Sequence, residues 1–345
     1  MSNTVVFITG ATGYIGGTVL AQTVTEFETL EVPATFRLLV RNRAKAEEVK
    51  SWAAIRDLTN IEIVIGDLDS LETIERESAN AKFVINTADC DHLESAKAIT
   101  KGLTTSIENG KHPIFIHTSG TANIFQDVRG EHVGDLIYHD NNDSEINSIP
   151  DSNPHRNVDV HIRDFHKSNE GKVDVIVIAP STVWGLGSGP SNIVSIQIPT
   201  LIRLALKYKQ AYYFGKGIAT WTEINVLDLA ALYTLLLRKT IEEPNKHSGF
   251  YFGSNEEYQW KDAVQAIQDG LLAAGFTTKP HAKSPAPEEA KQVFSGSYDW
   301  NLGVASASRA RAVKGPELGW ERPLSSKSKF LLDIVQEVQY LAKHS

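Results

Sequence analysis

The feature that most restricts this chain is a glycine turn close to its start. Thr4-Val5-Val6-Phe7-Ile8-Thr9 is an apolar, β-branched run of the kind that forms a buried strand. Gly10-Ala11-Thr12-Gly13-Tyr14-Ile15-Gly16-Gly17 follows it directly and opens an amphipathic stretch over 14–27. Gly10 permits a sharp exit from the strand, Gly13 lets backbone approach a ligand with no Cβ in the way, and Gly16 lets the helix pack closely on the sheet. A glycine triplet alone would also fit an ordinary strand-to-helix turn. Here the apolar strand before it and the amphipathic helix after it favour a dinucleotide site, with Gly10, Thr12, Gly13, Tyr14, Ile15 and Gly16 around a pyrophosphate at the helix N-terminus.

The alternation continues downstream. Thr35-Phe36-Arg37-Leu38-Leu39-Val40 reads as a second strand ending in Arg41-Asn42-Arg43. At this place in a doubly wound fold an acidic residue holds the 2′-hydroxyl of NAD, whereas an arginine accommodates the 2′-phosphate of NADP. Two arginines and no acid favour NADP over NAD, with Arg41 and Arg43 as its contacts; the alternative is a solvated turn before a helix over 44–54. Ile61-Glu62-Ile63-Val64-Ile65-Gly66 is the third strand, and Asp67 and Leu68 after it are placed to take the adenine amine and cover its ring. Asp67 or Asp69 also suits the N-cap of the helix that follows. A fourth strand over 81–86 leads to Thr87 and Ala88, where backbone passes the cofactor. A helix over 92–109 and the strand Pro113-Ile114-Phe115-Ile116-His117-Thr118 complete four βα units.

These units predict an α/β fold, a doubly wound parallel (Rossmann) sheet with a smaller interleaved C-terminal substrate lobe. The sheet domain is expected over residues 1–180 and about 217–240, and the lobe over about 181–216 and 241–345. Ser119 lies just past the fifth strand, at the carboxyl edge where such sheets bind ligands. Residues 120–154 form a long polar stretch without sustained periodicity, read as a wall or lid of the substrate cavity, with Tyr138 and His139 as candidates to face it or as surface residues. A helix over 155–169 follows the Asn153-Pro154 start signal. Val173-Asp174-Val175-Ile176-Val177-Ile178 is the sixth strand and runs into a Gly/Pro-punctuated loop. Beyond it we expect a helix over 193–208, short strands at Tyr212-Tyr213-Phe214, at 221–226 and at Phe250-Tyr251-Phe252, and helices over 227–238, 260–274 and 326–342, with a Pro/Ala/Glu-rich linker near 280–289.

Charge and cysteine content exclude several classes. Among 345 residues, 34 basic and 42 acidic side chains give a net charge of −8 without basic runs, so nucleic acid is not an expected partner. A single cysteine, Cys90, excludes an internal disulfide framework and any thiolate metal cluster. No signal, transit or membrane-spanning segment is apparent, so a soluble cytoplasmic protein without a membrane partner is expected. His155, His161 and His166 share one helical segment at spacings of six and five, not the one-turn spacing that a metal pair prefers, and His112 and His117 form no constellation, so no metal is expected. Thr118-Ser119-Gly120-Thr121 is not a nucleophile elbow. Arg309 and Arg311 would reach an anionic substrate or line a solvated helix face.

Taken in order, the glycine fingerprint, Asp67-Leu68, His117-Thr118-Ser119-Gly120-Thr121, Pro180-Ser181-Thr182-Val183-Trp184-Gly185 and Glu223-Ile224-Asn225-Val226-Leu227-Asp228-Leu229-Ala230 resemble the extended short-chain dehydrogenase/reductases over about residues 4–260. That superfamily includes sugar-nucleotide epimerases, dehydratases and carbonyl reductases. The resemblance implies that Pro180, Thr182 and Val183 border the cofactor and that Ser119 orients a substrate oxygen. It also implies a Tyr-x-x-x-Lys motif on the next helix, whose tyrosine moves the proton. No such motif occurs between Ser119 and Val173; the matching segment is Pro154-His155-Arg156-Asn157-Val158-Asp159, with His155 at the tyrosine position and Asp159 at the lysine position. Either Ser119 and His155 form an altered acid/base pair with Asp159 orienting the ring, with Tyr138 as another proton-handling candidate, or the catalytic tyrosine is simply lost. Three functions follow: an NADP-dependent oxidoreductase acting on a small carbonyl or alcohol, a redox-neutral epimerase, isomerase or lyase, and a non-catalytic NADP-sensing regulator. The resemblance also implies a homodimer through two helices of the nucleotide domain.

Overall fold

The computed structural model describes residues 3–295 and 301–344. The first half is an uninterrupted alternation: β1 (Thr4–Thr9), α1 (Tyr14–Thr29), β2 (Ala34–Val40), α2 (Arg43–Ile55), β3 (Ile61–Ile65), α3 (Leu71–Asn80), β4 (Phe83–Asn86), α4 (Leu93–Glu108) and β5 (Ile114–Thr118). A 3₁₀ turn (Thr121–Ile124), β6 (Tyr138–His139), α5 (Asp143–Asn147) and α6 (Arg156–Ser168) come next, and then β7 (Asp174–Pro180), β8 (Thr182–Trp184), α7 (Gln197–Tyr208), β9 (Thr220–Asn225) and α8 (Val226–Glu242). The remainder holds β10 (Gly249–Gly253), β11 (Glu257–Gln259), α9 (Trp260–Ala273), α10 (Pro287–Val293), β12 (Ala310–Arg311), α11 (Lys314–Glu317) and α12 (Lys327–His344).

Seven parallel strands in the order β10-β7-β5-β4-β1-β2-β3 form the central sheet. Strand order reverses between β1 and β4, and the crevice at their carboxyl ends is where such sheets take a ligand. Both faces are covered. Val6 and Ile8 of β1 join a core with α1 and α8, whereas Phe7, Val84, Phe115 and Val175 point to the other side and pack with α3, α4 and α6. That two-sided burial explains the nearly continuous apolar runs of the strands. A second core gathers Trp184, Trp221, Trp260 and Phe330 with residues of α7, α9 and α12. Among the described residues no helix is long and apolar enough to cross a membrane.

Four expectations about the second half are corrected. Phe250-Tyr251-Phe252 lies in the central sheet: β10 pairs in parallel with β7, so the boundary at 241 does not hold for it. Its exposed edge is blunted, because the Phe252 N–H donates to Asp140 Oδ2 at 2.9 Å. Conversely β9, expected with the sheet domain, belongs to a three-stranded sheet with β8 and β11, while α8 immediately after it packs on the nucleotide side against α1. Tyr212-Tyr213-Phe214 makes only one bridge, Tyr212 to Lys283; its side chains are used instead, Tyr212 donating to Glu289 and Phe214 stacking on Phe294. The helix expected from 193 begins at Gln197, since Gly187 N–H closes a loop onto Ile193 O. Segment 120–154 is tied down: Asp140 Oδ1 accepts from the amides of Val313 and Lys314, and β6 pairs with β12.

The α3–α4 contact gives a test of this packing. A Cβ on Gly102 would lie 2.3 Å from Glu75 O and 2.8 Å from Ser78 Cβ. Alanine is intrinsically the better helix former by about 1 kcal/mol, yet Gly102→Ala should lower stability by about 1–3 kcal/mol through overpacking. Urea unfolding reads the sign directly; a more stable variant would show that the two helices do not meet as closely as described.

Candidate active site

The carboxyl ends of β1, β2, β3 and β4 surround a cleft of about 510 Å³. Gly10, Thr12 and Gly13 form its floor. Gly10 has φ +81, and a Cβ there would lie 2.6 Å from the backbone of Thr87 and Ala88. At Gly16 a Cβ would lie 2.2 Å from Thr87 Oγ1 and 2.3 Å from Gly10 O, so both glycines are required by the protein's own packing. Gly13 differs: a Cβ there would meet no atom nearer than Gly10 O, at 3.1 Å. The space in front of it is a cradle that no protein atom fills. The N-terminus of α1 has no side-chain cap and no acidic residue in its first turn, which leaves its amide groups and partial positive charge for an anion. These residues fit a dinucleotide pyrophosphate.

The far wall carries Arg41, Lys45, Asp67 and Leu68, and the near wall Thr87, Ala88 and Asp89. Lys45 was not anticipated. It stands in the first turn of α2, whose N-cap Asn42 accepts the Lys45 N–H, and its Nζ reaches Glu48 and, 2.8 Å away, Ser191 Oγ. Asn192 also lines the cleft, and its N–H donates to Thr12 O. Loop 185–196 therefore closes one side of the cleft. Asp67 Oδ1 accepts from Ser70 Oγ and the Asp69 amide, which holds its pKa below the usual value and makes it a local turn-former as well as a wall residue.

Beyond Thr87 the β4–α4 loop reaches a group of polar side chains at the end of β5. Ser119, 4% exposed, donates through Oγ to Asp159 Oδ2 at 3.0 Å, and Asn123 Nδ2 donates to the same oxygen at 3.0 Å. Burial raises the Asp159 pKa against the opposing effect of these bonds. His155 does not meet Asp159 as expected. It is the N-cap of α6 with φ +66, a left-handed conformation that turns its ring away from the helix and onto the β4–α4 loop. There Nδ1 lies 2.9 Å from Asp91 Oδ1 and 3.2 Å from Cys90 Sγ. Burial lowers the His155 pKa, but the bonds to Asp91 and Cys90 outweigh it and push it up to about 10. The Asp91 carboxyl is correspondingly held below its usual value, chiefly by the His155 bond. The remaining nitrogen, Nε2, faces Gly120 next to Ser119: a Cβ built on Gly120 would lie 3.0 Å from it.

No family model matches the sequence. The oxidase ucsJ of an Acremonium species is 30% identical over 350 aligned positions, which cover 96% of this chain and 97% of that protein. The chain belongs to the same family as that oxidase, and its fold is that of the extended short-chain dehydrogenase/reductases. Solved structures share its fold: the dTDP-glucose 4,6-dehydratase of Streptomyces venezuelae with NAD bound has a TM-score of 0.65 at 15% identity, covering 99% of this chain and 98% of its own. The yeast methylglyoxal/isovaleraldehyde reductase Gre2 with NADPH has a TM-score of 0.62 at 14% identity, covering 99% and 100%.

Several residues expected at the site are placed elsewhere by the structure. Tyr138 is 7% exposed and packs with Ile124, Ile149, Ala179, Phe252 and Ala310. Tyr14 donates to Gly185 O at 2.6 Å, Ile15 packs into the α1–α8 core, and neither lines the cleft. Arg43 is exposed at the start of α2 and does not line it either. Pro180 ends β7, Val183 packs against the core and Thr182 is bonded to Tyr258; none of the three lines the cleft. Arg309, just before β12, and Arg311, within it, both pair with Glu257, and neither is on a helix. His112 pairs with Asp174 and His161 with Thr100. His117 is fully buried, accepts from Asn86 Nδ2, and is kept neutral by desolvation, its pKa lowered to about 3.

The Asp91–His155 pair makes stability depend on pH. The His155 pKa is about 10 in the fold against 6.5 ordinarily, so its contribution is complete below about pH 6.5 and is lost as pH rises towards 10. The depressed Asp91 pKa ends the window on the acid side, below its ordinary 3.8. Urea unfolding should therefore show Asp91→Asn costing most near about pH 6 and little near about pH 10. An equal cost at both pH values would rule out the pairing.

Proposed function

We propose that the protein is an NADP-dependent oxidoreductase that reduces a small carbonyl compound, with His155 as proton donor. The observation that carries this reading is the lone free nitrogen of His155, aimed at Gly120 beside Ser119 while its other nitrogen is fixed by Asp91 and Cys90. With Nδ1 held against a carboxylate, His155 stays an imidazolium through neutral pH and presents Nε2–H to a substrate oxygen. Ser119 gives its own proton to Asp159, so it offers a lone pair to a substrate or product hydroxyl. Donor and acceptor are thus divided between His155 and Ser119.

When bound, a reduced nicotinamide supplies hydride to the carbonyl carbon. His155 gives its Nε2 proton to the oxygen as the C=O π bond breaks and is reprotonated by solvent. Arg41 and Lys45 are the residues that would hold a 2′-phosphate, since both line the same end of the cleft and no acid stands at the end of β2. Gly13 and the uncapped start of α1 would hold the pyrophosphate. The NADPH bound by the Gre2 reductase supports the phosphorylated cofactor and the reductase direction. A soluble cytoplasmic protein, without nucleic-acid or membrane partners and possible as a homodimer, is consistent with this reading.

Two measurements test it. In calorimetric titrations Arg41→Ala and Lys45→Ala should each weaken NADPH about 10- to 100-fold, the loss of one charge-assisted contact, and leave NADH unchanged. Equal losses for both cofactors would reject a 2′-phosphate site. In a screen of small aldehydes and ketones that follows NADPH oxidation, His155→Ala should lower kcat by about 10²–10⁴-fold. The wild-type kcat/KM should hold through neutral pH and fall above about pH 10, where His155 loses its proton, and in Asp91→Asn that fall should move to lower pH. A pH limb that stays in place in Asp91→Asn would remove His155 as the donor.

A further inference from the structure

Loop 185–196 is held to the start of α1 by close backbone contacts. Ser188 N–H donates to Thr18 Oγ1 at 3.2 Å, Asn192 N–H donates to Thr12 O at 3.3 Å, and a Cβ on Gly189 would lie 2.4 Å from Gly17 Cα. At Ser191 the loop reaches a different element, α2. Ser191 Oγ accepts from Lys45 Nζ at 2.8 Å, and the same Nζ donates to both carboxyl oxygens of Glu48, at 3.0 and 2.9 Å. Bonds from Ser191 first and Lys45 second hold the Glu48 carboxyl below its usual range. A lysine and a glutamate one turn apart are an ordinary surface pair, worth little by themselves. A serine 146 positions from the lysine is not part of such a pair, and its presence ties the loop to α2.

Lys45 lines the nucleotide cleft, yet its charge is already neutralised by Glu48. A phosphate arriving there competes with a carboxylate for one ammonium and one hydroxyl. The phosphate has the larger charge and more acceptor oxygens, and the Glu48 side chain, 41% exposed, is free to move into water. We propose, resting on the NADP reading above, that Glu48 is a competing anion that the 2′-phosphate displaces, taking Lys45 and Ser191 and thereby tying loop 185–196 to the cofactor. NADH presents a neutral hydroxyl at that place, which does not displace a carboxylate, so the Lys45–Glu48–Ser191 clasp stays closed. Glu48 thus opposes the phosphorylated cofactor, and Ser191 couples its arrival to the loop that closes the cleft.

Calorimetry on the full chain with NADPH and NADH reads the competition. Glu48→Gln should tighten NADPH about 3- to 10-fold and leave NADH unchanged, and in a Lys45→Ala background the same substitution should gain less than about twofold. Hydrogen-exchange mass spectrometry at saturating cofactor reads the loop: residues 186–196 should exchange several-fold more slowly with NADPH than with NADH, and Ser191→Ala should remove the difference. Unchanged NADPH affinity in Glu48→Gln, an equal gain for NADH, the full gain in the Lys45→Ala background, or equal protection by the two cofactors would overturn the proposal. Arg41→Ala, titrated in parallel, keeps the two readings apart. A loss for NADPH alone upholds the 2′-phosphate site whatever Glu48 does, whereas an equal loss for both cofactors removes that site and this proposal with it.

Discussion

The close approach of the first glycine turn to the end of β4 is the constraint on which the site depends. Thr87 donates twice to Thr9 O, through its amide at 3.1 Å and its hydroxyl at 2.7 Å, and this clamps β1 and β4 together where the strand order reverses. Gly10 and Gly16 accept that clamp because neither has a Cβ to collide with Thr87. Two consequences follow from one contact. The cleft opens on one side of the turn, and the chain after Thr87 is sent towards the end of β5, carrying Cys90 and Asp91 to His155.

The second determinant is the backbone of His155. In a helical conformation its ring would rise along α6, with Asp159 one turn on as its natural neighbour. At φ +66 it leaves the helix and pairs with residues 64 and 65 positions earlier in the chain. Asp159, released from that role, turns inward to Ser119 and Asn123. Two acids therefore divide the work at the corner: Asp91 keeps a proton on His155, and Asp159 fixes the orientation of Ser119.

What could be read from the sequence follows the range of the interactions. The glycine turn, the strand and helix alternation and the ligand-binding edge rest on short-range periodicity and steric demands that any window of the chain displays, and the structure places them as expected. The membership of β9 and β10 in their sheets depends on long-range pairing, which strand propensity does not encode. Lys45 was legible in principle as a cation in the first turn after Arg41-Asn42-Arg43, whereas the inward turn of Asp159 was not. Cys90 and Asp91 lie in the β4–α4 loop, and a loop residue's partner is fixed by the scaffold that aims it, not by its local sequence. The displacement of Tyr138 into an apolar cluster has the same origin, since β6 is defined only by its pairing with β12.

In the proposed reaction an imidazole and a carboxylate would meet, by opposite electrostatics, the requirement that a phenol and an ammonium meet. A tyrosine near a lysine cation has its pKa brought down, so that a group protonated too firmly becomes able to exchange a proton near neutrality. Imidazole starts near neutrality, and a carboxylate beside it moves its pKa up. The first arrangement serves donation and abstraction alike; the second is biased to donation, because the deprotonated ring that abstraction requires is scarce until the solution is alkaline. Burial of the ring works against that bias, and the bonds to Asp91 and Cys90 outweigh it. In the proposed reaction Asp91, Cys90 and His155 would together favour giving a proton to oxygen over taking one.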